Sequence, residues 1–112
     1  MKGSKLPTVL KNHIDQSISI SHNQPQYSLI WLHGLNDHPQ TYLPFFTHLQ
    51  SPIYHRCRVK LLQAPRIFIS VNQEETYGWF DLKSTNRFTN PEDQVYDLEQ
   101  INHTKTIIQQ AA

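Results

Sequence analysis

The stretch LIWLHGLND, Leu29–Asp37, decides how this sequence folds. With Tyr27 and Ser28 it opens as YSLIWL, an apolar run of the kind a strand shows when both its faces are covered, and such strands usually lie inside a parallel sheet. The run stops at His33 and Gly34, after which Asn36, Asp37 and Pro39 predict a loop. Loops at the carboxyl ends of strands form the ligand crevice of an open α/β sheet, so chemistry is expected here. Gly34 lets the backbone turn without a side chain, which leaves the following amides free to face an anion.

Working outward from that stretch, residues 9–20 end in Ile18 and Ile20 alternating with Ser17, Ser19 and Ser21, the pattern of a half-buried strand. The polar segment HNQPQ, residues 22–26, is a turn. On the other side LPFFTHL predicts a short helix from about Pro44 to Gln50, with Pro44 tolerated in its first turn. RVKLLQ, residues 58–63, reads as the next strand, closed by Ala64 and Pro65 because proline has no donor for a ladder. Residues 66–90 show no long period and read as an apolar loop, whose Ile67, Phe68, Ile69, Trp79 and Phe80 should pack onto something.

Asn90, Pro91, Glu92 and Asp93 supply an N-cap, a proline at the first helical position and acids for the positive end of the dipole, so a helix is expected to begin there. Val95, Leu98, Ile101, Lys105 and Ile108 fall near one stripe, which extends the expected helix to the end of the sequence. Alternating strands and helices predict an α/β fold with a mostly parallel sheet. Residues 1–8 read as an N-terminal tail, and residues 9–112 as about half of such a domain.

Composition narrows the function. The chain has 112 residues, at most one domain's worth, and its ten Lys and Arg against nine Asp and Glu leave no basic excess for a nucleic-acid partner. Eleven Gln and seven Asn are scattered rather than blocked and carry no functional message. A single Cys57 forms no internal disulfide and favours a reducing compartment. No apolar stretch is long enough to span a membrane or to form a signal peptide, so a cytoplasmic protein is expected. Seven histidines form no HExxH and no i, i+4 pair, so neither a metal nor a cofactor is expected. His55 and Cys57 would share one face of an extended segment, but nothing in the sequence supplies an oxyanion donor or an orienting acid beside them.

The order of residues in LIWLHGLND resembles the phospholipase/carboxylesterase branch of the α/β-hydrolases, which includes acyl-protein thioesterases. Two further segments carry the same resemblance in the same order: LLQAPRIFISVN, residues 61–72, and GWFDL, residues 78–82. The resemblance implies that Leu35, the residue after the glycine, gives a backbone N–H to an oxyanion hole, within a loop made by His33, Gly34, Asn36 and Asp37. Asn36 stands where the family commonly has a second glycine, and asparagine is the non-glycine residue most tolerant of positive φ. The resemblance also implies that Trp79 and Phe80 line an acyl-binding channel, and that the substrates are lipid-like acyl esters or thioesters.

Each residue has a plainer role as well. His33 beside a glycine can serve as a buried hydrogen-bonding residue that shapes the loop. Asp37 can fix the loop or cap the helix after it. Trp79 and Phe80 can simply anchor a loop, and without a histidine partner in view Asp81 reads as structural.

The resemblance matches only the N-terminal half of a family domain. The family's serine sits in G-x-S-x-G on a strand-to-helix elbow, with the acid and histidine further on. Glycines occur here only at positions 3, 34 and 78, and none lies two residues from a serine. No catalytic residue can therefore be named, and the chain is expected to be an inactive piece of the fold, ending before the elbow. The alternative from another class is a non-catalytic interaction module that pairs an open sheet edge with a partner or with itself.

Overall fold

A computed structural model describes residues 7–84 and 95–112. The expected N-cap and first turn at Asn90, Pro91, Glu92 and Asp93 lie outside the described residues. The chain divides into two compact units, which we call the sheet unit and the hairpin unit. The first contains the residues up to His33 together with His38–Gln63, and the second contains Gly34–Asp37 and Ala64–Ala112.

The sheet unit holds strands β1 (Thr8–Lys11), β2 (Ile18–Ser21), β3 (Tyr27–Leu32) and β4 (Cys57–Leu62), helix α1 (Pro39–His48) and a 3₁₀ turn at Tyr54–Arg56. Its strand order is β1-β2-β4-β3. Strands β1 and β2 are antiparallel, as are β2 and β4, and only β3 and β4 run parallel, with Leu29 opposite Val59 and Trp31 opposite Leu61. The expected mostly parallel sheet of a partial α/β-hydrolase fold is therefore incorrect. Connection length explains it, since a parallel crossover needs about a dozen residues or more and a tight link permits only antiparallel neighbours. Residues 12–17 are too few for a crossover, whereas residues 33–56 carry α1 between β3 and β4.

Burial follows the sheet's two faces. Ile18, Ile20, Val59 and Leu61 share one face and form a core with Phe46 and Tyr54, against which Val9, Trp31, Tyr42 and Leu43 pack. Ser19, Ser21, Arg58 and Lys60 occupy the other face, where the Arg58 guanidinium donates to Ser28 Oγ at 3.3 Å. Strand β3 takes a sheet edge, and Tyr27, Ser28 and Leu29 are exposed, so it is not covered on both faces as its composition suggested.

Helix α1 begins at Pro39, five residues ahead of the expected start, and carries Pro44 in its interior. Phe46 is its most buried aromatic, 5.4 Å from the Trp31 ring in an edge-on contact. The Tyr54 hydroxyl donates to the Phe46 carbonyl, tying the 3₁₀ turn to the helix. Burial, and then the nearby Cys57, push the Tyr54 phenol above its ordinary value, which keeps it protonated as a donor.

In the hairpin unit, the segment expected to be an apolar loop forms two antiparallel strands, β5 (Arg66–Ile69) and β6 (Glu74–Tyr77). The hairpin closes through Asn72 N–H to Ile69 O at 3.1 Å and Gln73 N–H to Ser70 O at 3.3 Å, with Gln73 at φ 54°. The last helix, α2, spans Leu98–Ala111. It does not continue through Val95, because Tyr96 bridges to Leu82 and Asp97 sits in an extended conformation at the N-cap. The Asp97 carboxylate accepts from Gln100 N–H at 3.0 Å, which satisfies one of the orphan donors of the first turn. Leu98, expected on the buried stripe, is 46% exposed.

Candidate functional site

The Gly34–Asp37 segment is a turn closed by the Asp37 N–H donating to the Gly34 carbonyl at 3.2 Å. Leu35 and Asn36 hold its two central positions, and Asn36 has φ 60°. A positive φ at the second central position alone is the pattern of a type II turn, where glycine is usual and asparagine is the common substitute. Gly34 itself has negative φ, and a Cβ there would meet nothing within 4 Å. The left-handed residue on which this turn depends is thus Asn36.

Two contacts hold Asn36 to the end of β6. Its N–H donates to the Tyr77 carbonyl at 2.8 Å, and its side-chain oxygen accepts from the hydroxyl of buried Thr76. The Asn36 amide is accordingly committed to the protein. The Leu35 N–H makes no hydrogen bond among the described residues, and Leu35 is 47% exposed. One amide of the pair is anchored, and the other makes no hydrogen bond among the described residues.

Leu35 is also held by packing. A Cβ added at Gly78 would lie 3.2 Å from Leu35 Cδ1 and 3.2 Å from Ile69 Cδ1, so the missing side chain at Gly78 gives Leu35 its place over the hairpin. Gly78 N–H donates to Pro65 O at 3.0 Å, which fixes the start of GWFDL beside the AP segment.

The WFD residues are held mainly by polar groups. Asp81 accepts the Ser70 N–H at 2.7 Å on one carboxylate oxygen and the Ser70 hydroxyl on the other. Its own N–H donates to Gln100 Oε1 at 2.5 Å, and its carbonyl accepts from Asp97 N–H at 3.3 Å. Thr104 Oγ1 donates to the Trp79 carbonyl at 2.6 Å. Phe80 meets the Tyr96 ring edge-on at 5.6 Å. These contacts give Asp81 and Thr104 the work of fastening the segment to β5 and α2, and leave the rings of Trp79 and Phe80 half-buried.

His33, in the sheet unit, is buried, and its Nε2 accepts from Gln63 Nε2 at 3.1 Å. The Gln63 carbonyl accepts in turn from His38 Nδ1 at 3.3 Å. Asp37 does not supply the cap considered for it, because the N-cap of α1 is His38 and no side chain caps there. Cys57 Sγ points to the Ile53 carbonyl at 3.3 Å, and the His55 ring lies beside Tyr54 and His22, so no thiol and base pair forms.

Sequence reasoning missed Thr76, Ser70, Gln100, Thr104 and Gln63. All are polar residues whose partners are distant in sequence and reveal themselves by no spacing. Among the described residues no group of three His, Cys, Asp or Glu side chains is arranged to hold a metal ion, and no helix is long and apolar enough to cross a membrane. Comparison with protein-family models and with curated protein sequences finds no match for the chain.

Proposed function

We propose that the chain supplies the oxyanion-loop part of a carboxylic ester or thioester hydrolase of the phospholipase/carboxylesterase family, acting in the cytoplasm on lipid-like acyl substrates, and that it is inactive by itself. The reading rests on three ordered segments, LIWLHGLND, the AP segment and GWFDL. The structural observation that supports it best is the Leu35 N–H, without a partner among the described residues on a turn whose neighbouring amide is tied to Tyr77. An oxyanion donor contributes about 2.7–4 kcal/mol to acyl transfer, but only against charge created by a nucleophile's attack. The 112 residues contain no G-x-S-x-G serine to make that attack.

Two measurements test this. Medium-chain ester and thioester assays on the purified chain are expected to give no saturable turnover. An alkylphosphonate, a stable mimic of the tetrahedral oxyanion, is expected to displace the Leu35 amide resonance while leaving that of Asn36 near its place. Saturable hydrolysis refutes the inactive reading, and a silent Leu35 refutes the oxyanion reading.

A second reading, an interaction module that pairs through an open sheet edge, is favoured by the position of β3 at the edge, with Tyr27 51% and Leu29 39% exposed. A defined dimer dispersed by proline at Leu29 would favour it over the hydrolase reading.

A further inference from the structure

We propose that the sheet unit carries a binding site for a phosphate-class anion, in a cleft between the β1–β2 turn and the start of α1. The site is independent of the ester-hydrolase reading, since its residues all belong to the sheet unit and the Gly34–Asp37 turn belongs to the hairpin unit. The cleft has a volume of about 330 Å3 and is lined principally by Lys11, Asn12, His13, His38, Gln40 and Gln63. Such a volume exceeds the ~30 Å3 share of a single water by an order of magnitude, so a phosphomonoester fits where a lone solvent molecule would be loosely held.

The side chains around the cleft offer donors, and the carbonyls of Asn12 and Gln63 are already engaged. No carboxylate lines it. The acid of the β1–β2 turn, Asp15, is turned onto Ser17, accepting its N–H at 2.9 Å and its hydroxyl at 2.7 Å. The Asn12 carbonyl is occupied by the N–H groups of Ile14 at 2.8 Å and Asp15 at 3.2 Å, which leaves its amide nitrogen as the outward group. The Gln63 carbonyl is occupied by His38 Nδ1. Lys11 makes no ion pair among the described residues, and its ammonium is the permanent positive charge of the cleft.

The start of α1 adds to this. It has no side-chain cap and no acid in its first turn, and Pro39 at N1 has no N–H, so Gln40 gives the first amide of the helix. An ammonium, amide nitrogens and an imidazole reaching one space from three elements suit an anion with several oxygens. Charge-assisted hydrogen bonds from such donors are about twice as strong as neutral ones. A tetrahedral phosphate uses donors from several directions, whereas a planar carboxylate satisfies only those near its plane.

Residue-resolved NMR on the full chain tests the site, with inorganic phosphate and glycerol phosphate titrated against chloride and acetate at constant ionic strength. The expected result is saturable displacement of the Lys11, His13 and Gln40 amide resonances by both phosphates, weaker with acetate, and absent with chloride. Lys11→Ala should weaken phosphate binding about tenfold, as expected for removal of one charged donor. Lys11 is exposed, so the substitution leaves the core intact. Saturation by glycerol phosphate at lower concentration than by free phosphate places the ligand among phosphomonoesters, and the reverse order places it with the free ion. Diffuse displacement over the surface, equal response to acetate, or binding unchanged in Lys11→Ala each overturns the proposal. A response at Leu35 alone would do the same without touching the ester-hydrolase reading.

Discussion

In the sheet unit, Ile20, Val59 and Leu61 are wholly removed from solvent, and aromatic side chains from α1, β3 and the 3₁₀ turn pack with them. In the hairpin unit the recurring joint is a polar side chain clasping a group distant in sequence: Asp81 on Ser70, Gln100 on Asp81, Thr104 on Trp79, and Thr76 on the side chain of Asn36. Apolar burial is non-directional and tolerates small displacements, whereas a hydrogen bond fixes a donor to within tenths of an ångström. The turn that carries the Leu35 N–H belongs to the second unit, where Asn36 is held by directed hydrogen bonds to Tyr77 and Thr76.

The sharpest way to break the comparison is to remove one large group from the sheet core. Phe46→Ala should cost about 3–5 kcal/mol, the usual range for a buried aromatic truncated to alanine, read as a lower urea midpoint for the sheet unit. Equal loss of hydrogen-exchange protection in α2 would show that the two units share one cooperative transition and that the distinction drawn here is wrong.

Next in size is the clasp on the hairpin side. Asp81→Ala leaves the Ser70 N–H and hydroxyl without their acceptor, and an orphaned part-buried donor costs about 1–3 kcal/mol. Protection should fall at Ser70, Gln100 and the first turn of α2 while β2 and β4 keep theirs. Asn36 sharpens the same point at the turn. Asn36→Gly and Asn36→Ala both lose the Thr76 contact, but only alanine must bear φ 60° on a Cβ, so alanine should be the less stable by about 1–2 kcal/mol in thermal unfolding.

The smallest effect expected is electrostatic and belongs to the sheet unit. Burial alone would raise the Asp15 carboxyl, but hydrogen bonds from Ser17 and the charge of Lys60 outweigh it, and the net shift is downward from the ordinary 3.8. A group with a depressed folded-state pKa stabilises above its unfolded value and loses that contribution as pH falls through the folded one. Acid titration should therefore weaken the β1–β2 turn below pH 3.8, and Asp15→Asn should flatten that part of the pH–stability curve.

The same contrast governs what could be read from the sequence. The alternation of Ile18 and Ile20, the apolar β3 and the strand before the AP segment are all visible, because burial imposes a period on the chain. The parallel pairing of β3 with β4 follows from the helix between them. The mostly parallel sheet did not follow, because the short link at residues 12–17 holds β1 and β2 as a hairpin and an apolar strand can still lie at an edge. The β5–β6 hairpin lacks a strong signal, since Phe68 points away from the side that carries Ile67 and Ile69, and its turn residues Asn72 and Gln73 are not a common hairpin pair. At the candidate site, the tolerance of Asn36 for positive φ was legible. The partners that exploit it, Thr76 and Tyr77, were not, because a hydrogen bond across forty residues leaves no trace in local composition.

Amide hydrogen exchange at Leu35 and Asn36 tests the central claim most directly. Of these neighbours, only Asn36 has its N–H paired, with the acceptor that Tyr77 gives it. The Leu35 N–H should exchange at close to the rate of an unstructured peptide, and the Asn36 N–H should be protected along with the ends of β5 and β6. Protection of Leu35 equal to that of Asn36 would mean that its donor is spent inside the protein, and that the turn has nothing to offer an oxyanion.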